Sequence, residues 1–430
     1  MKRIIGMSSE SRSIVRTRWV GMTLWLLPLL IAGVICLYFY YAIKCIDGCG
    51  PYHNRASAAD LDGDGDLDVV LSNLRHETDT IVWAGATLWI NQGGGKFTPR
   101  GGEFGGPYTT AGDVNGDGAV DLLRWGNDAI LVHLNYGEED PVRGGFRVWY
   151  VIRPVEDPST SSLTANGSIA SGDLNGDGRL DAIVSNWGET LIDTRDDSLP
   201  YLPWVWINTV DKTGYPRDPG LNLSSLGDLP MQPALGDLDG DGDLDIYAAS
   251  LPPKDGNYDS ADRILLNDGS GAFADSGQRL DNPRKAGSAG SGAVALGDLD
   301  GDGDLDAVVA TARGAFVWMN QGEAQGGQTG IFAESGPRLG RGHIEAVFLA
   351  DFDADGDLDA LEAGKVQATV WWNDGQGGFR DSGQRLKYTE RDGLAVGDFD
   401  GDGDPDVFSA GGDEFHLWLN QGDGRLQEEN

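Results

Sequence analysis

The chain has 430 residues, 65 of them glycine, and a formal net charge of −36. Its 32 Lys and Arg face 68 Asp and Glu and form no basic stripe, which argues against a nucleic-acid partner. With 3 cysteines, the chain cannot be a disulfide-stapled scaffold.

Residues 1–18 carry Lys2, Arg3, Arg12, Arg16 and Arg18 against Glu10, and read as a cytoplasmic segment. Residues 19–43 hold no charge, long enough to span a bilayer as a helix, with Pro28 tolerable inside it. The trailing flank offers only Lys44 before Asp47, so the positive-inside rule predicts that everything after about residue 44 is extracytoplasmic. A cleaved signal peptide would have an apolar core of about 7–15 residues and a small-residue cleavage site. The longer stretch is therefore read as an uncleaved signal anchor, the membrane being its partner. Residues 44–55 form a juxtamembrane linker with Cys45 and Cys49, which either pair in a small loop or stay free.

From residue 56 to residue 430 the chain is organised by an acidic nonapeptide that recurs seven times, with starts 47 to 64 residues apart. A fixed motif at such a period marks a repeat architecture. Position 1 is always Asp: Asp60, Asp113, Asp173, Asp237, Asp298, Asp351 and Asp398. Position 3 is Asp62, Asn115, Asn175, Asp239, Asp300, Asp353 and Asp400. Position 5 is Asp64, Asp117, Asp177, Asp241, Asp302, Asp355 and Asp402, and position 9 is Asp68, Asp121, Asp181, Asp245, Asp306, Asp359 and Asp406. Position 6 is always Gly, as a sharp turn with φ > 0 requires.

Position 7 runs Asp66, Ala119, Arg179, Asp243, Asp304, Asp357 and Asp404. A side chain that can be Ala or Arg is not a ligand, so the backbone carbonyl is expected to serve there. Oxygens from positions 1, 3, 5, 7 and 9 suit a hard cation with six or more ligands, and calcium fits best, with up to seven ions. Magnesium prefers retained waters, and no His or Cys spacing supports zinc. An EF-hand is set aside because position 12 is never Glu and β-type residues such as Val69-Val70 follow directly. The nonapeptides hold 31 of the 68 acidic residues and one Arg, so the acidity belongs to these loops.

Each nonapeptide lies between short apolar runs. A third apolar run then ends in Asn, as in Leu88-Trp89-Ile90-Asn91, Val317-Trp318-Met319-Asn320 and Leu417-Trp418-Leu419-Asn420. A Gly-rich turn usually follows and leads to an aromatic such as Phe97, Phe273, Phe332 or Phe379. These are strand and hairpin signals, four strands to a repeat. Seven such units predict an all-β fold, a seven-bladed β-propeller preceded by one N-terminal transmembrane helix, with the repeated Trp in the inter-blade core.

The run Asp60–Asp68 followed by Trp89-Ile90-Asn91-Gln92-Gly93 resembles the FG-GAP/VCBS repeat family over about residues 56–426. The resemblance implies an integrin α-subunit-like propeller with calcium in the hairpin between the first two strands of each blade. It implies little about function, because such propellers serve adhesins, ligand-binding modules and ancillary enzyme domains. Asn115 and Asn175, Ala354 at position 4, and Pro405 where the other copies have Leu or Val depart from the pattern.

In a four-stranded blade the first and third turns share one face. The variable segments 72–86, 136–168, 184–203, 209–233 and 247–261 are therefore assigned to the opposite face, with Trp149, Tyr150, Trp187, Tyr201, Tyr215 and Tyr258. His53, His76, His133, His343 and His416 are scattered, and no catalytic constellation is evident. The expectation is a non-enzymatic, cell-surface binding or adhesion module whose ligand, a protein or a glycan, meets that opposite face. A propeller-type polysaccharide lyase or hydrolase and a membrane-tethered assembly scaffold are the alternatives.

Overall fold

The computed structural model describes residues 55–429, except the connecting segments 78–79, 103–107, 127–128, 137–145, 153–166, 187–202, 209–220, 223–230, 251–260, 281–290, 323–329, 389–392 and 412–413. The predicted anchor 19–43 and Cys45 and Cys49 lie outside the described residues. Among those described, no helix is long and apolar enough to cross a membrane.

The described residues form seven four-stranded antiparallel sheets, each built from four consecutive strands. They are the blades of a seven-bladed β-propeller: 55–102, 108–152, 167–222, 231–275, 291–339, 344–387 and 393–428. Every nonapeptide closes the hairpin between the first two strands of its blade. The residue before it pairs with position 9, as in Ala59 with Asp68, Gly236 with Asp245 and Gly397 with Asp406.

The core lies between blades. Leu174, Ile183, Val205 and Ile207 of blade three pack on Met231, Ile246, Ala248 and Leu265 of blade four. The ring closes in the same manner: Val69, Leu71, Trp89 and Phe97 of blade one meet Ala395, Phe399, Phe408 and Leu417 of blade seven. At that seam the Phe97 and Phe408 rings stand 4.8 Å apart, and those of Trp89 and Phe415 4.9 Å. Trp89, Trp206, Trp318 and Trp418 are all buried, each contributing on the order of 2–3 kcal/mol of apolar burial.

Two repeated contacts fix the distance between blades. A Cβ on Gly112, Gly172, Gly236, Gly297 or Gly397 would collide with Leu180, Leu244, Leu305, Leu358 or Leu67, the position-8 residue of the following blade. The absent side chain makes room for the Leu. In the remaining two copies the position-8 residue is the smaller Val120 or Pro405, and the preceding blade carries Ala59 or Ala350 instead of Gly.

The second contact gives the repeated Asn its role. Each Asn side chain donates to the position-8 carbonyl of its own loop and to the position-2 carbonyl of the preceding blade's loop. Asn320 Nδ2 lies 3.3 Å from Leu305 O and 2.9 Å from Leu238 O, and Asn373 Nδ2 3.1 Å from Leu358 O and 2.9 Å from Leu299 O. Asn91 reaches back to Phe399 O, Asn135 to Leu61 O, Asn208 to Val114 O, Asn267 to Leu174 O and Asn420 to Phe352 O. Seven latches thus run around the whole ring.

The variable segments differ from the sequence-based assignment. Residues 72–86 are mostly strand, because the second and third strands of blade one are Asp68–Glu77 and Thr80–Asn91. The segments 136–168 and 209–233 each contain an outermost strand, Phe146–Ile152 and Leu221–Asn222. Trp149 and Tyr150 therefore lie on a strand, Tyr150 paired with Val132, and not in a loop. The continuous β-branched and aromatic run in Phe146–Ile152 carried the strand signal, masked by the length of the insertion around it. Trp187, Tyr201, Tyr215 and Tyr258 lie outside the described residues.

Asn320→Ala should cost about 1–3 kcal/mol in urea unfolding, because it leaves two buried carbonyls without a donor. Asn320→Asp should cost more, since it turns a carboxylate toward the same carbonyls. Wild-type stability for the Asp variant would disprove the latch.

Candidate metal centres

Each acidic loop is wound around its position-1 Asp. Asp60 accepts the Gly63 and Gly65 N–H groups at 2.7 and 3.1 Å, and Asp237, Asp298 and Asp398 accept the matching pairs in their own loops. Position 5 accepts the position-7 N–H in all seven copies, from Asp66 N on Asp64 at 3.0 Å to Asp404 N on Asp402 at 3.0 Å. Glycines at positions 4 and 6 permit the winding with φ from +69° to +98°, for example Gly63 at 81° and Gly65 at 98°. In loop six Ala354 holds position 4 at φ 59°, the one non-glycine with positive φ among the described residues.

The winding brings carboxylates together in five loops. Asp60, Asp62 and Asp68 place one oxygen each within 4.8 Å of one another, as do Asp237, Asp239 and Asp245, and Asp398, Asp400 and Asp406. In loops five and six the groups are Asp298, Asp300 and Asp302, and Asp351, Asp353 and Asp355. Oxygens within 4.8 Å of one another fit a shared hard cation with ligands at about 2.3–2.6 Å. Asp353 Oδ1 adds a direct sign of need. It is buried, has no hydrogen-bond partner, and faces Asp351 and Asp355, whose charges join burial in raising its pKa. The donor set therefore fits a divalent cation. The position-7 side chains turn away, since a Cβ on Gly269 or Gly375 of the third turn would lie 2.5 Å from Asp243 Oδ2 or Asp357 Oδ2.

Loops two and three are built differently. Among the described residues neither assembles three carboxylates. Asn115 Nδ2 donates to Asp117 Oδ2 at 2.9 Å and Asn175 Nδ2 to Asp177 Oδ2 at 3.2 Å, so the amide of position 3 satisfies position 5. In loop three the Arg179 guanidinium also pairs with Asp177 at 2.5 Å and donates through Nε to Asn208 O at 2.9 Å. That loop carries a cation of its own.

Position 9 has a second task. Its carboxylate is buried in every copy and accepts two backbone N–H groups, one from position 2 and one from the latch Asn. Asp306 takes Leu299 N at 2.9 Å and Asn320 N at 2.7 Å, and Asp68 takes Leu61 N and Asn91 N at 2.8 Å each. Burial outweighs these donors and pushes Asp68, Asp121, Asp181, Asp245 and Asp406 up to about 6, and Asp306 and Asp359 to about 7. Neighbouring loop carboxylates add to the rise.

A carboxyl whose pKa is higher folded than unfolded binds more protons in the folded state, so stability falls as pH rises between the two values. Cation-free protein should therefore lose stability as pH rises from about 4 to about 7, the interval from the ordinary Asp value of 3.8 to that of Asp306. Adding divalent cation should flatten or reverse the slope; a flat profile without cation would contradict these shifts. Separately, Ala354→Gly should raise the stability of loop six by about 1 kcal/mol, because glycine meets no penalty in the left-handed region. A lower melting temperature for that variant would refute the strain.

The FG-GAP-like repeat pattern matches residues 60–124, 113–184, 255–309, 298–362, 351–409 and 398–430. No curated protein sequence matches the chain. Among solved structures, the BBS1N chain of a complex with ARL6DN is similar at 12% identity and a TM-score of 0.50, covering 85% of this chain and 91% of that one. An Agrocybe aegerita lectin, described by its recognition of non-reducing terminal N-acetylglucosamine, is 19% identical over 87% of this chain and 78% of its own, with a TM-score of 0.38. A Pseudomonas aeruginosa periplasmic gluconolactonase is 15% identical over 84% of this chain and 88% of its own, with a TM-score of 0.48. At these identities the likeness concerns the fold alone. The repeat matches span most of the chain and take in six of the seven acidic loops, all but Asp237–Asp245, and the protein belongs to the FG-GAP-like repeat family.

Proposed function

We propose that the protein is a membrane-anchored, extracytoplasmic binding module, stiffened by calcium, whose ligand is a protein or a glycan rather than a substrate to be turned over. The observation that carries this reading is the set of five loops that each gather three carboxylates at one edge of a blade. Calcium outside the cytoplasm, at around millimolar, matches the ~10⁻⁴–10⁻³ M affinities of extracellular modules. The uncharged stretch 19–43 supplies the tether, with the N-terminus cytoplasmic. The ligand meets the face opposite the calcium loops, where the segments joining second to third strands and blade to blade emerge.

With each site at ~0.1 mM affinity in ~1 mM calcium, linkage gives about 1.4 kcal/mol per site and about 7 kcal/mol for five. That is comparable to a typical total stability of ~5–15 kcal/mol. Excess chelator should lower the melting temperature strongly, and an unchanged melting curve would end the calcium reading. Calorimetric titration should resolve about five tighter sites, with Asp302→Ala costing more stability than Asp117→Ala. For the anchor, the intact protein should remain with membranes through a carbonate wash, and external protease should reach the propeller; release of a shortened soluble form would reveal a cleaved signal. Turnover of a polysaccharide by the purified protein would favour the enzyme reading.

A further inference from the structure

A groove of about 480 Å³ opens between blades five and six. Arg338 comes from the outermost strand of blade five, and Gly340 and Arg341 from the connection leading to blade six. Glu362, Trp371 and Arg385 come from blade six. The connection and the second turn of blade six lie on the face opposite the acidic loops.

Glu362 breaks the pattern of the repeat. Three residues after position 9 the blades carry Leu71, Arg124, Val184, Ala248, Val309, Glu362 and Ser409, so Glu362 is the one acid at a register otherwise mostly apolar. This register faces the preceding blade, as Leu71 does toward blade seven. Glu362 is 5% exposed, and its Oε2 has no hydrogen-bond partner. Burial pushes the Glu362 carboxyl up to about 7; the Trp371 Nε1–H lies near enough to temper that rise yet closes no hydrogen bond of normal geometry. Gly340 passes so close that any Cβ there would strike the carboxylate. A carboxylate buried without a donor is costly, and repeats that otherwise agree with one another depart from their pattern where function demands it.

The charge around it is unusual for this chain. The groove is lined by three guanidiniums and two carboxylates, in a protein of net charge −36. Arg385 is already held by Asp381 through two contacts, at 2.8 and 2.6 Å. Arg338 spends one amino group on Arg313 O at 2.9 Å. Arg341 is exposed and makes no hydrogen bond or ion pair among the described residues. An arginine fork is matched to a carboxylate, a half-buried indole to the apolar face of a sugar ring, and an unpartnered carboxylate to hydroxyls. We propose that this groove binds an acidic saccharide, with Arg341 and Arg338 on the uronate carboxylate, Trp371 against the ring and Glu362 on its hydroxyls. The proposal rests on the binding-module reading and places a site for its ligand between blades five and six.

The test is calorimetry on the full-length, calcium-loaded chain in detergent, titrated with cellobiouronic acid and with cellobiose, which lacks the carboxylate. The acid should bind and cellobiose should bind at least tenfold more weakly. Arg341→Ala should lose at least tenfold in affinity for the acid. Glu362→Val introduces the residue that blade five already carries, so it should fold, melt at an equal or higher temperature, and still lose affinity. Equal binding of the two sugars, no binding at millimolar acid, or full affinity in both variants would each overturn the proposal. Capture of a different glycan or protein, unaffected by these two substitutions, would overturn the groove while leaving the binding-module reading intact.

Discussion

The structure depends on one buried carboxylate per blade. Position 9 of each acidic loop accepts an N–H from its own loop and another from the latch Asn, and that Asn reaches the loop of the blade before it. Three parts of the molecule are thereby tied together: the acidic loop, the third strand, and the seam between blades. Whatever alters charge in the loop is felt at the seam. The carboxylate clusters and blade packing are therefore coupled, since in loops one, four and seven the position-9 Asp both joins the cluster and accepts the two backbone N–H groups.

Most of this was legible in the sequence because it is repeated. Seven copies revealed the invariant positions 1, 5, 6 and 9 and hence the turn, the acidic residues that cluster there and the number of blades. They also exposed the Asn at the end of the third strand, though not its role, because one of its two partner carbonyls lies in another blade, 82 residues away for Asn320 and Leu238. Features that occur only twice were harder to see. Asp275–Leu280 and Asp381–Leu386 share one hexapeptide, and in each the Gln holds the third turn of the next blade. Gln278 bonds Gly330 O and Phe332 N, and Gln384 bonds Gly424 O and Leu426 N. The internal repeat was the signal that would have found them. The insertions of blades two and three concealed outermost strands because length, rather than pattern, dominated those segments.

The departures from the repeat sort into two kinds. Some are matched by a second change: Ala350 replaces the Gly of five copies where the next loop carries the smaller Pro405, and Arg179 provides loop three with positive charge where its carboxylates are fewer. Others are left uncompensated within the chain, as with Ala354 in a left-handed conformation and Glu362 without a donor. The first kind preserves the scaffold. The second kind costs stability and calls for an explanation outside the fold.

The latch also has a direction. Every blade grips the loop of its predecessor, and blade one grips blade seven through Asn91 and Phe399 just as its neighbours do. The seam between the first and last blades is thus chemically equivalent to the six seams crossed by covalent connections. Strand exchange is not needed to shut the ring, since each sheet is complete in itself. Such a ring has no privileged origin. Its termini could be relocated to another blade junction by circular permutation, because what binds the first blade to the last is already carried by every repeat.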